Sequence, residues 1–128
     1  MLPQEHIIRR YFELMSASDI EGIIDLFSDD AIIHSPFLGQ VKAGDFFRKL
    51  GSASRTSTLT VYAVLASGDD RHYAGHFRYD WELASGDNLS FEGVDLFEVS
   101  EDGKLLSMKI YYDTHPLREE VGDKYADA

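Results

Sequence analysis

The sequence predicts an α+β domain in which helices come first and an antiparallel sheet follows. Three observations predict it. Apolar residues recur at helical spacing over residues 4–17, 20–27 and 43–50. From residue 57 onward the pattern changes to period two. Three short Gly/Asp turns, Gly68-Asp69-Asp70, Ser85-Gly86-Asp87 and Glu101-Asp102-Gly103, then separate four strand-like runs. Helical runs followed by strand runs argue for segregated layers rather than alternating βαβ units. At 128 residues, with 44% hydrophobic content, the chain is long enough to bury a core as a single domain spanning 1–128.

The first helix, 4–17, carries Ile7, Ile8, Tyr11, Phe12, Leu14 and Met15 on one stripe, and Pro3 suits a first helical turn. Tyr11 on that stripe takes its hydroxyl inward. Asp19 is an N-cap for a second helix, Ile20 to Phe27, whose stripe is Ile20, Ile23, Ile24 and Phe27. Ala31 to Ser35 reads as a short strand stopped by Pro36, with a loop at Gly39. A third helix spans Ala43 to Leu50, and residues 51–54 form a loop without phosphate-loop spacing. The strands follow at 58–67, 72–83, 89–99 and 104–113, and form a meander. The tail from Pro116 to Ala128 is charged and reads as loosely ordered.

Alternation divides each strand into two faces. The 72–83 strand directs Tyr73, Gly75, Phe77, Tyr79, Trp81 and Leu83 inward. The last strand offers Leu106, Met108, Ile110 and Tyr112. The 89–99 strand offers Phe91, Gly93, Asp95, Phe97 and Val99. Asp95 is a lone carboxyl on an otherwise apolar face, which is costly unless it is paired, hydrogen-bonded or protonated. Apolar walls with few polar groups suit a hydrophobic small molecule. The same aromatics also suit a plain core, and Asp95 also suits a structural hydrogen bond.

Composition excludes several classes. A net charge of −11 argues against nucleic acid or an anionic membrane as partner. The absence of cysteine removes disulfides, thiolate metal sites and thiol catalysis. The histidines are scattered without metal-ligand spacing, so no metal is expected. No signal peptide or long apolar run is visible, and the expected location is the cytoplasm.

Particular residues carry a family resemblance. Arg10-Tyr11-Phe12-Glu13-Leu14, Asp19-Ile20-Glu21-Gly22-Ile23, Ser28-Asp29-Asp30-Ala31 and Pro36-Phe37 resemble the N-terminal half of bacterial ketosteroid isomerases. Val94 to Val99, the acidic turn with Gly103, and Leu105 to Tyr112 resemble their C-terminal strand pair. The pattern is shared with SnoaL-like cyclases and the wider NTF2-like superfamily. It spans nearly the whole chain except the third-helix region and the tail. The resemblance implies a cone-shaped NTF2-like (cystatin-like) fold, with three helices packed on a strongly curved antiparallel sheet. It implies no cofactor, and homodimerisation through the outer sheet face, which here carries Tyr62, Val64, Arg78, Asp80, Val94 and Leu96.

In the isomerases, a helix-borne Tyr and a protonated strand Asp hold the oxyanion. The resemblance puts these roles on Tyr11 and Asp95. It puts the pocket wall on Phe12, Met15, Phe37, Phe77, Tyr79, Trp81, Phe97, Met108 and Tyr112. The isomerase base is an Asp immediately before the Pro-Phe pair, and here that position is Ser35. His34, or Asp113 beyond the last strand, is the candidate replacement. For Asp113 a bulge must re-aim the side chain. Three functions stay open: cofactor-free proton transfer through a stabilised enolate, as an isomerase or a cyclase or hydrolase; non-catalytic binding of a small ligand; and a structural or regulatory domain that only dimerises.

Overall fold

A computed structural model describes residues 3–115. It contains α1 (Pro3–Ser16), α2 (Ile20–Asp25), β1 (Phe27–Ser35), β2 (Gly39–Lys42), α3 (Ala43–Ala53), β3 (Ser54–Ala66), β4 (His72–Leu83), β5 (Asn88–Val99) and β6 (Leu105–Tyr112). The strands form one sheet in the order β2-β1-β6-β5-β4-β3. The expected meander is present as β3 to β6, with every neighbour antiparallel. The first strand adds to β6 in parallel, and β2 pairs with β1 as a hairpin. The expected tail, residues 116–128, lies outside the described residues.

Helix α1 seats on the concave face of β3 and β4. Its close approach depends on Gly75. A Cβ at that position would lie 2.4 Å from Cε2 of Phe12. Gly51 does the same for α3, where a Cβ would lie 2.9 Å from Cγ1 of Ile20 in α2. The core between helices and sheet includes Ile8, Ile23, Ile33, Phe47, Phe97 and Leu105, each fully buried.

Three boundaries differ from the sequence reading. The second helix stops at Asp25, and Phe27 opens β1 rather than closing the helix. Phe27 pairs with Leu105, and the ladder is irregular until Ile32. The Ser28-Asp29-Asp30 segment, with both aspartates exposed, occupies that irregularity and lacks the apolar alternation of a strand. Residues 51–54 are not a loop. The third helix runs to Ala53 and β3 begins at Ser54, whose hydroxyl donates to the Leu50 carbonyl at 2.6 Å. Gly39 begins a four-residue strand rather than a loop. On β6, Leu105 takes the buried position expected of Leu106. A register shift between Glu98 and Val99 moves the start of β6 by one residue, as a bulge does.

Candidate functional site

The helices and the concave sheet face enclose an open-mouthed cavity of about 320 Å³ with an almost wholly apolar lining. That volume lies in the range used for small organic ligands. From α1 come Tyr11, Phe12 and Met15; from β4, Phe77, Tyr79 and Trp81; from β5, Phe91 and Asp95. Ile110 and Tyr112 of β6 and the turn Ser35 to Leu38 complete that side, and α3 closes the other with Phe46, Lys49, Leu50 and Ala53.

Asp95 lies between Gly75 on β4 and Ile110 on β6. It is 4% exposed, and its Oδ1 has no hydrogen-bond partner among the described residues. Burial pushes its carboxyl well above the usual carboxylate range, because water that would solvate the anion is gone. Tyr11 is 3% exposed. Its phenol is raised by burial first, then by the neighbouring Asp95 and Tyr79. Both shifts favour the protonated form, in which each group is a hydrogen-bond donor.

The Tyr11 ring is fixed by edge-on aromatic contacts. Phe12 and Phe97 lie at centroid distances of 5.1 and 5.2 Å, and Phe47 and Phe27 at 6.0 and 6.3 Å. Such contacts add to area burial and restrict the ring. Three other polar groups of the wall are already engaged. The Tyr79 hydroxyl is hydrogen-bonded to Ser57 Oγ at 2.8 Å, and Trp81 Nε1 donates to Ser54 Oγ at 2.8 Å. Ser35 Oγ accepts from the backbone N–H groups of Phe37 and Leu38, both at 3.2 Å, and so shapes the turn at the mouth. Phe37 is 73% exposed there and packs on Tyr112 at 5.5 Å.

Four expected site residues lie elsewhere. Phe97 and Met108 pair across β5 and β6 beneath the cavity, where both are buried. Phe97 supports Tyr11 instead of lining the wall. His34 follows strand alternation to the opposite side of β1 from Ser35, beside Lys109, and does not line the cavity. Asp113 is not re-aimed by a bulge. It sits with His76 and Glu92 in a shallow depression on the outer sheet face, and its carboxylate accepts from the His115 N–H at 2.9 Å. Neither candidate base thus reaches the space beside Tyr11 and Asp95.

Sequence reasoning missed the α3 contribution, above all Lys49. No periodicity marks a helix end as a cavity rim. Among the described residues no group of three or more His, Cys, Asp or Glu side chains is arranged to hold a metal ion. No helix there is long and apolar enough to cross a membrane.

A sheet wrapped around α1, with a cavity at its open end, defines an NTF2-like α+β cone. The chain belongs to the SnoaL-like domain family, whose model matches residues 8–108. Three solved structures share the fold. One is Rv0760c from Mycobacterium tuberculosis, in complex with estradiol-17beta-hemisuccinate. It is 22% identical, with a TM-score of 0.76 over 88% of this chain and 95% of that one. Another is the epoxide hydrolase/cyclase-like enzyme SalBIII, which has a role in pyran ring formation in the polyether salinomycin. It is 19% identical, with a TM-score of 0.75 over 86% and 90%. The third is an NTF2-like protein of unknown function from Exiguobacterium sp. 255-15, 21% identical, with a TM-score of 0.73 over 84% and 98%.

Proposed function

We propose that this protein binds an apolar, carbonyl-bearing small molecule and polarises its carbonyl with hydrogen bonds from Tyr11 and Asp95. The observation that carries this reading is the buried Asp95 carboxyl, which lines an apolar cavity and whose Oδ1 has no partner among the described residues. A neutral carboxyl lacks an acceptor there, and a ligand carbonyl supplies one. Two donors fixed in a water-poor cavity stabilise charge that develops on such an oxygen. They therefore acidify the adjacent C–H and favour the enolate, as isomerisation or cyclisation requires. The steroid ester bound by Rv0760c, of the same fold, is in keeping with a ligand of this class.

A second reading, binding without catalysis, is favoured by one observation. Ser35 spends its oxygen on the turn, and His34 and Asp113 lie off the cavity. One experiment separates the two. An aryl methyl ketone is titrated against the protein by calorimetry, and exchange of its methyl protons with deuterium is followed by NMR. Binding weakened about tenfold by Tyr11→Phe or by Asp95→Leu is expected from loss of one donor. Exchange that is accelerated, and lost in both variants, supports the enolate reading. Binding without exchange supports the binding module. Affinity indifferent to both substitutions rejects the donor pair.

We also propose self-association through the outer sheet face. Tyr62 and Leu96 are half-exposed there, and the Tyr62 ring packs on His76 at 5.0 Å. Light scattering is expected to give a mass of twice 14.5 kDa. A monomer at every concentration would contradict it.

A further inference from the structure

The cavity has a second polar end. Lys49, on α3, is the one cationic side chain among its lining residues. It is exposed, whereas Asp95 and Tyr11 are buried. Lys49 therefore stands at the rim of the cavity, and the buried donor pair lies away from the mouth.

There are 23 carboxylate residues against 12 Lys and Arg. Among the described residues Arg9, Arg10, Arg48, Arg55, Arg71 and Arg78 each pair with a carboxylate. Arg48, next to Lys49 in sequence, is held by Glu21 on the side away from the cavity lining. Lys104 donates to the Asp25 carbonyl, and Lys109 lies over the Tyr111 ring. Lys49, like Lys42, Lys104 and Lys109, has no carboxylate partner among the described residues, and of these four it alone lines the cavity.

We infer that the preferred ligand is an apolar keto acid, with its carbonyl at the Tyr11/Asp95 floor and a carboxylate at Lys49. This rests on the carbonyl-binding reading above and specifies its ligand class. A ligand of this shape satisfies both polar ends while its hydrocarbon body fills the middle. The charged end stays at the mouth, so no carboxylate is desolvated in the apolar interior.

The test compares acetylnaphthoate, whose acetyl and carboxylate groups lie at opposite ends of the ring system, with its methyl ester. Affinities are measured by calorimetry at low salt. The acid is expected to bind about fivefold more tightly than the ester, the scale of an exposed ion pair. The preference should fade as salt screens the pair. In Lys49→Met the acid-to-ester ratio should fall to near one, and in Lys49→Glu it should invert. Equal affinities in the parent protein, or an acid preference that survives both substitutions, would overturn the inference. Failure of the underlying reading looks different: the ester alone would bind no more weakly to Tyr11→Phe than to the parent. Because each variant is scored by a ratio of two ligands, partial misfolding does not mimic the result.

Discussion

At position 95 a carboxyl group sits between a glycine and an isoleucine on neighbouring strands, with no donor to its Oδ1 among the described residues. Burial is the cause of its raised pKa, and linkage turns that direction into a stability statement. An ordinary Asp titrates near 3.8. Between that pH and the raised folded value, the native state holds a proton that the unfolded state has lost. Unfolding free energy therefore falls as pH rises through this window, by about 1.4 kcal/mol for each unit of separation. The variant Asp95→Asn has no such proton. Its stability relative to the parent should grow from pH 4 to pH 8 in urea unfolding, whatever constant offset the amide introduces. A difference that stays flat with pH would mean the carboxyl titrates normally. Ser35 supports a complementary prediction. It lines the cavity, and its oxygen already faces two N–H donors that would keep a carboxylate ionised. Ser35→Asp should therefore install the missing base and raise deuterium exchange of a bound ketone by about a hundredfold. No increase, with ketone binding intact, would count against the enolate geometry.

At the scale of elements, two glycines set how closely helices approach their neighbours, and their surroundings differ. Gly75→Ala drives a Cβ to 2.4 Å from a buried aromatic ring, and should cost about 1–3 kcal/mol as overpacking. Gly51→Ala meets the half-buried Ile20 side chain at 2.9 Å, and gains about 1 kcal/mol of helix propensity in compensation. Urea midpoints should thus fall clearly for the first and little for the second. Equal losses would refute the claim that Gly75 seats α1. Elements with a strong period were legible in the sequence. The first helix and the faces of β4 and β5 follow 3.6- and 2-residue repeats closely. What stayed hidden depends on neighbours. The β1 start at Phe27 is defined by pairing with Leu105, across a Ser-Asp-Asp segment that lacks strand character. The inward turn of Leu105 comes from a bulge that no local pattern announces.

Across the whole molecule, the sheet wraps one helix and leaves an apolar cavity whose deepest polar groups are Tyr11 and Asp95. The isolated Asp on an apolar face was visible by alternation alone, and so were Phe77, Tyr79, Trp81 and Tyr112. Lys49 was not, because only the packing of α2 on α3 and of α3 across the open end brings it to the rim. His34 and Asp113, the candidate bases, were misplaced: no bulge re-aims Asp113, and neither residue is in the cavity lining. The role proposed for Asp95 therefore turns on one protonation state. Infrared difference spectroscopy of the folded protein against Asp95→Asn at pH 7 measures it directly. A protonated-carboxyl stretch that disappears in the variant is the predicted result. A carboxylate band lost in its place would show Asp95 ionised, and would contradict its role as a neutral donor at the cavity floor.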